Sequence, residues 1–127
     1  MLPPLAGTVA RASLAGMTEP SNIRELADIP AVEIITRAAL MLMSASAEKL
    51  GLSAPDPTVS RHRDLDEARR LITALAGLVS ASAEYLGPHA GPLRDGLRSL
   101  QTAFREYSAI PDQPGQAPGE KFTRPHA

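Results

Sequence analysis

Proline placement constrains this 127-residue chain more than any other feature. Prolines stand at positions 3, 4, 20, 30, 55, 57, 88, 92, 111, 114, 118 and 125, leaving three long proline-free windows, 31–54, 58–87 and 93–110. Proline fits the first turn of a helix but costs about 3 kcal/mol in its interior, so these windows are where long helices can run.

Each window carries helical periodicity and its own start and stop signals. Asp28-Ile29-Pro30 opens the first, with Pro30 suited to a first turn, and Leu50-Gly51 closes it with a glycine suited to a left-handed cap. The second opens on Asp64-Leu65-Asp66-Glu67. Asp64 is placed to cap free amides and Glu67 to reach back to it, and Gly87-Pro88 stops the helix. Leu65, Ala68, Ile72, Leu75, Val79, Ser82 and Leu86 step by 3 and 4, a heptad-like seam with a small residue at 82. The third helix, starting between Pro88 and Pro92, carries Leu93, Leu97, Leu100, Phe104 and Tyr107 on one stripe and ends before Pro111.

The pattern predicts an all-α fold of three antiparallel helices over residues 28–110, with disordered ends on either side. Residues 1–27 read as an irregular extension, and Met17, followed by Thr-Glu-Pro-Ser-Asn, reads as an alternative start. The tail, 111–127, holds four prolines and two glycines and too few apolar groups to offset its ordering entropy.

Charge spacing adds an expectation about assembly. No charged residue occurs from Ala38 to Ala47 or from Leu71 to Ala83, and the second run is about 20 Å of helix without an ionic side chain on any face. Ser44, Ala45, Ser46 and Ala47 in helix one, and Thr73, Gly77, Ser80 and Ala81 in helix two, let backbones approach closely. The expectation is a homodimer, with helices one and two meeting a second copy through Met41, Ser44, Ala45, Leu75, Gly77 and Val79 to complete a helical bundle. The competing reading is that these small residues are simply exposed. Helix three has an ordinary wet face in Arg94, Asp95, Arg98, Gln101, Arg105 and Glu106. Both charge-free runs fall short of the roughly 20 residues that cross a bilayer, and Arg11 interrupts the only stretch placed to be a signal peptide. No membrane partner is expected.

Composition removes most chemistries. Thirteen Lys and Arg against fourteen Asp and Glu leave no global field for nucleic acid, so no DNA partner is expected. The absence of cysteine rules out thiolate catalysis, disulfides and Cys-ligated metal. Two Phe, two Tyr and no Trp leave little for stacking bases or sugars. His62, His89 and His126 lie in loops or beside proline, none at a spacing that puts two imidazoles on one helical face. Asp64, Asp66 and Glu67 are what a helix N-terminus favours electrostatically, which is a sufficient account of them. No Gly-x-Ser-x-Gly elbow or glycine-rich phosphate loop is present. The chain is therefore expected to be non-catalytic, with no cofactor and no metal.

Four stretches carry a resemblance: Leu26 to Ile35 (LADIPAVEII), Asp64 to Ala76 (DLDEARRLITALA), Pro92 to Glu106 (PLRDGLRSLQTAFRE) and Pro118-Gly119-Glu120-Lys121. Together, over about Arg24 to Pro125, they resemble the small bacterial family named domain of unknown function 1844, in its actinobacterial form. Members from other bacteria usually follow the capped helix with a Gly-Asn-Leu-Thr turn, where this chain has Glu84-Tyr85-Leu86-Gly87-Pro88. The resemblance implies a cytosolic helical protein without assigned activity, encoded near translation genes, and supplies no catalytic residue.

Two features point to binding. Arg94, Arg98 and Arg105 share one face of helix three and suit phosphate or an acidic partner. In the tail, Phe122 between Lys121 and Arg124 has the form of a short docking motif. The expected function is a cytoplasmic protein–protein or translation-associated interaction module. The alternative is a small-ligand-binding protein or enzyme subunit whose site forms between chains.

Overall fold

The computed structural model describes residues 26–123. Contacts divide the chain into two units, Met1–Ala31 and Val32–Ala127, and the architecture below is that of the second, whose first helix starts one residue before it. It comprises α1 (Ala31–Leu50), α2 (Leu65–Leu86), α3 (Ala90–Tyr107) and a single-turn α4 (Glu120–Thr123), with short 3-10 turns at Pro57–Val59 and Gly87–His89. No strand occurs among the described residues. Residues 1–25, with the alternative start at Met17, lie outside them.

The helix boundaries follow the local chemistry. Past the end of α1, Gly51 adopts φ +81°, its amide donates to the Glu48 carbonyl at 3.0 Å, and the Leu52 amide donates to Ala47 at 3.0 Å. That pair of bonds is the Schellman closure, and it needs a residue without Cβ. A Cβ at Gly51 would also lie 2.6 Å from the Pro57 carbonyl oxygen, so the loop folds tightly onto the helix end. Asp64 caps α2 by accepting from the Glu67 amide at 3.1 Å. The reciprocal half of the expected capping box is absent, because the Glu67 carboxylate pairs with Arg70 instead. Gly87, at φ +53°, ends α2, and one 3-10 turn leads straight into α3, making a helical hairpin.

Packing matches the periodic pattern closely. Ala68, Ile72, Leu75, Val79, Ser82 and Leu86 of α2 are buried, as are Leu93, Leu97, Leu100 and Phe104 of α3. Helix α1 adds Ala39, Ser46 and Leu50, with Ile35, Leu42, Met43 and Ala47 partly buried against the same core. Met43 seats over Gly96 of α3, where a Cβ would fall 2.1 Å from its Cε. The loop between α1 and α2 is fastened by the Asp64 amide on the Lys49 carbonyl at 2.7 Å and by Arg63 on the Tyr107 carbonyl at 2.5 Å.

The structure corrects two expectations. The tail is not disordered over residues 111–123, and belongs to the same compact unit as the helices. Ala117, Pro118 and Gly119 are buried, and Gly119, at φ +75°, lies so close to α2 that a Cβ would stand 2.3 Å from that of Ala76. Apolar side-chain content misjudged this segment because its backbone makes the contact. The expected dimer surface also changes. Leu75 is 0 % and Val79 2 % exposed inside the chain's own core. Gly77 faces Phe122, whose ring would lie 3.9 Å from a Cβ there. The partner expected on helix two is thus the chain's own third helix and tail. Only Met41, 57 % exposed, with Ser44 and the half-buried Ala45, keeps to an outer face of α1.

Candidate functional site

Four polar ties hold the tail along the α2–α3 hairpin. One Arg69 nitrogen donates to both carboxylate oxygens of Asp112 at 3.1 Å, and the same guanidinium stacks 4.8 Å from the centroid of Phe104. Gln101, buried on α3, donates to the Pro118 carbonyl at 3.0 Å. Glu120 accepts from Arg105 at 3.0 Å and, through the same oxygen, from the Ala117 amide at 2.7 Å. Finally, the Ser80 hydroxyl donates to the Phe122 carbonyl at 2.9 Å. Two of these ties end on a backbone carbonyl of the tail, and Glu120 also holds a tail amide, which specifies the path without demanding large side chains.

Beside Phe122 and Thr123 a cleft of about 670 Å³ opens between α2, α3 and α4. Val79, Ala83 and Leu97 supply its apolar lining, Ser80, Gln101 and Thr102 its hydroxyl and amide groups, and Arg94, Arg98 and Arg105 its cations. Phe122 and Thr123 form one wall. The helix-three arginine row and the tail aromatic, which the sequence presents as two separate binding features, therefore face one cavity.

The three arginines differ in what they already hold. Arg105 is committed to Glu120. Arg98 sits 3.8 Å from Asp95 across exposed surface, both side chains more than 70 % accessible. Such a pair is worth little in water, so the Arg98 charge stays open to a ligand. Arg94 makes no ion pair or side-chain hydrogen bond among the described residues. Lys121 turns its ammonium over the Phe122 ring at 5.1 Å. That ring is 45 % exposed and packed on α2, so it is a wall of the cleft rather than a free docking motif. Arg124 lies outside the described residues.

The remaining candidates stay dispersed. His62 and His89 are exposed, and His126 is outside the described residues. No group of three or more His, Cys, Asp or Glu that could hold a metal ion occurs among the described residues. Asp64 and Glu67 spend their carboxylates on the α2 cap and on Arg70.

Comparison with curated proteins and with solved structures gave no match. The sequence model of the family described as a domain of unknown function (DUF1844) matches residues 31–106, from the start of α1 to the last turn of α3, leaving the tail that completes the cleft outside the matched span. The chain belongs to the DUF1844 family.

Proposed function

We propose that this protein is a small, cytosolic, non-catalytic interaction module that holds a segment of a macromolecular partner in the α2–α3–α4 cleft. The observation that carries the reading is the convergence of the arginine row and Phe122 on one open cavity with an apolar lining. A translation-related partner, which the family resemblance implies, is the first class to look for. The alternative, a small-ligand or enzyme site formed between chains, is less well supported, because elements of one chain already wall this cavity. Self-association belongs to the proposal through the outer face of α1, where Leu40 and Met41 are exposed. By length and composition alone, one 18-residue window within Leu65–Tyr107 is apolar enough to cross a membrane. A third of that window is buried, and the span turns back at Gly87–His89 with its leucines sharing one core, so we read it as part of a helical hairpin.

The test is capture from the native cell with the tagged full chain and with Thr102→Trp, an exposed residue whose enlargement fills the cleft. Partners identified by mass spectrometry should be retained by wild type and by the α1 control Arg37→Glu, and lost with Thr102→Trp. The same partners at the same abundance in all three samples would overturn the cleft as the binding site.

A further inference from the structure

Residues 117–123 fill part of the groove between α2 and α3. Along α2 the tail advances from Ile72 and Thr73, beside Gly119, to Gly77 and Ser80, beside Phe122. The α2–α3 hairpin runs antiparallel, so the same direction along α3 leads from Arg105, which Glu120 occupies, toward Arg98 and Arg94. Ahead of Thr123 the groove continues as the open cleft, with Ala83 on one side and Arg94 and Arg98 on the other.

The filled stretch shows how this groove holds a polypeptide. A carboxylate pairs with an α3 arginine, and hydroxyl and amide side chains of α2 and α3 donate to the segment's carbonyls. The open stretch repeats those parts, with Arg98 and Arg94 free to pair, Thr102 at the wall and Leu97 and Ala83 beneath. One helical turn separates Arg94 from Arg98, about 6 Å of rise. Side chains two apart on an extended segment stand about 6.6 Å from each other. The two spacings agree.

Resting on the reading that the cleft binds a partner segment, we infer that the segment is an acidic peptide, lying in the groove beyond Thr123 with carboxylates two residues apart on Arg94 and Arg98. Its intervening apolar side chain, on the opposite face, meets Ala83 of α2. A nucleic-acid strand fits less well, because Asp95 beside Arg98 and Glu120 beside Arg105 interrupt the row of cations a phosphate backbone needs. In sequence, residues 124–127, Arg-Pro-His-Ala, contain no acidic side chain.

The experiment is fluorescence anisotropy on the full chain with three labelled probes: a peptide of alternating Glu and Leu, one of alternating Lys and Leu, and a single-stranded RNA oligonucleotide. The Glu-Leu peptide should bind saturably, weaken with added salt, and lose about tenfold or more in affinity with R94E/R98E, the loss expected for one or two charge-assisted hydrogen bonds. Arg37→Glu should leave it unchanged. Both cleft arginines are exposed, and R94Q/R98Q, with a smaller loss in the same direction, covers the case in which charge reversal disturbs the fold. No saturable binding of the Glu-Leu peptide, binding indifferent to both double variants, or tighter cleft-dependent binding of RNA would each overturn the inference. If Thr102→Trp still abolishes partner capture in those cases, the cleft remains the binding site and only its ligand chemistry is wrong.

Discussion

Two stretches of this chain look alike in sequence and end in different circumstances. Ala38 to Ala47 and Leu71 to Ala83 are both charge-free and rich in small residues. The second is the more enclosed, with Leu75 and Val79 in the core, Ala76 under Gly119 and Gly77 facing Phe122, while Ala74, Ser80 and Ala81 stay exposed. The first is enclosed on one side only, where Ala39 and Ser46 are buried, while Leu40 and Met41 point outward at 51 % and 57 % exposure. A missing charge therefore marks a surface that tolerates being covered, without saying by what. For α2 the cover is the third helix together with the chain's own tail.

That difference is broken most forcefully by removing the tail from that cover. A chain ending at Ile110 exposes the small-residue face of α2 and strands Arg69, Gln101 and Arg105 without their partners. Unfolding by urea should show a loss of about 2–4 kcal/mol, from lost apolar burial and from polar groups left unpaired. Gly119→Ala should do part of the same damage. Its Cβ has 2.3 Å where contact needs well over 3 Å, and alanine is strained at φ +75°. A truncated chain as stable as the full one would mean that the tail rests on the helices without holding them.

What was legible in the sequence divides along the same line. Helix spans were readable because prolines, Gly51, Gly87 and Asp64 act locally, and buried faces because leucines at helical spacing have nowhere else to go. The tail was not readable by those rules. Its fastening depends on the Pro118 and Phe122 carbonyls, on a glycine chosen for the side chain it lacks, and on Glu120 bonding back to the amide of Ala117, three residues earlier. The run Pro118-Gly119-Glu120-Lys121, part of the family resemblance, was the one signal of order there. The arginine row could be seen in helix three, but its meeting with Phe122 depends on that unread path.

The open run of α1 supplies the second test. If self-association through this face is right, light scattering at micromolar concentration should give a dimer for the wild type and a monomer of unchanged helicity for Met41→Glu. Met41 is the variant of choice because it is more than half exposed, so its replacement by a charge costs the folded monomer little. Ala45, half buried, would confuse dissociation with unfolding. A wild type that is monomeric and folded at that concentration would leave Leu40 and Met41 as ordinary exposed apolar residues, which single-chain proteins carry in number.

The smallest effect concerns the loop that sets the two runs against each other, and it has a pH signature. Asp56 accepts from the Thr58 hydroxyl at 2.7 Å and from the Thr58 amide at 3.0 Å, fixing the 3-10 turn that lies against Gly51. The Thr58 hydroxyl first, then its amide, hold the Asp56 carboxyl below its ordinary value of 3.8, with the Arg63 charge adding to them. A carboxyl depressed in the folded state binds its proton more tightly in the unfolded chain. Its contribution to stability is therefore present above 3.8 and lost as pH falls through the lower folded value. Urea midpoints of wild type and Asp56→Ala, measured at a series of pH values from neutral downward, should differ by a small constant amount at first and converge as pH drops below 3.8. A gap that stays constant into acid would show that the carboxylate charge adds nothing and that Asp56 holds the turn equally well when protonated, whereas no gap at any pH would leave the turn to proline geometry at Pro55 and Pro57.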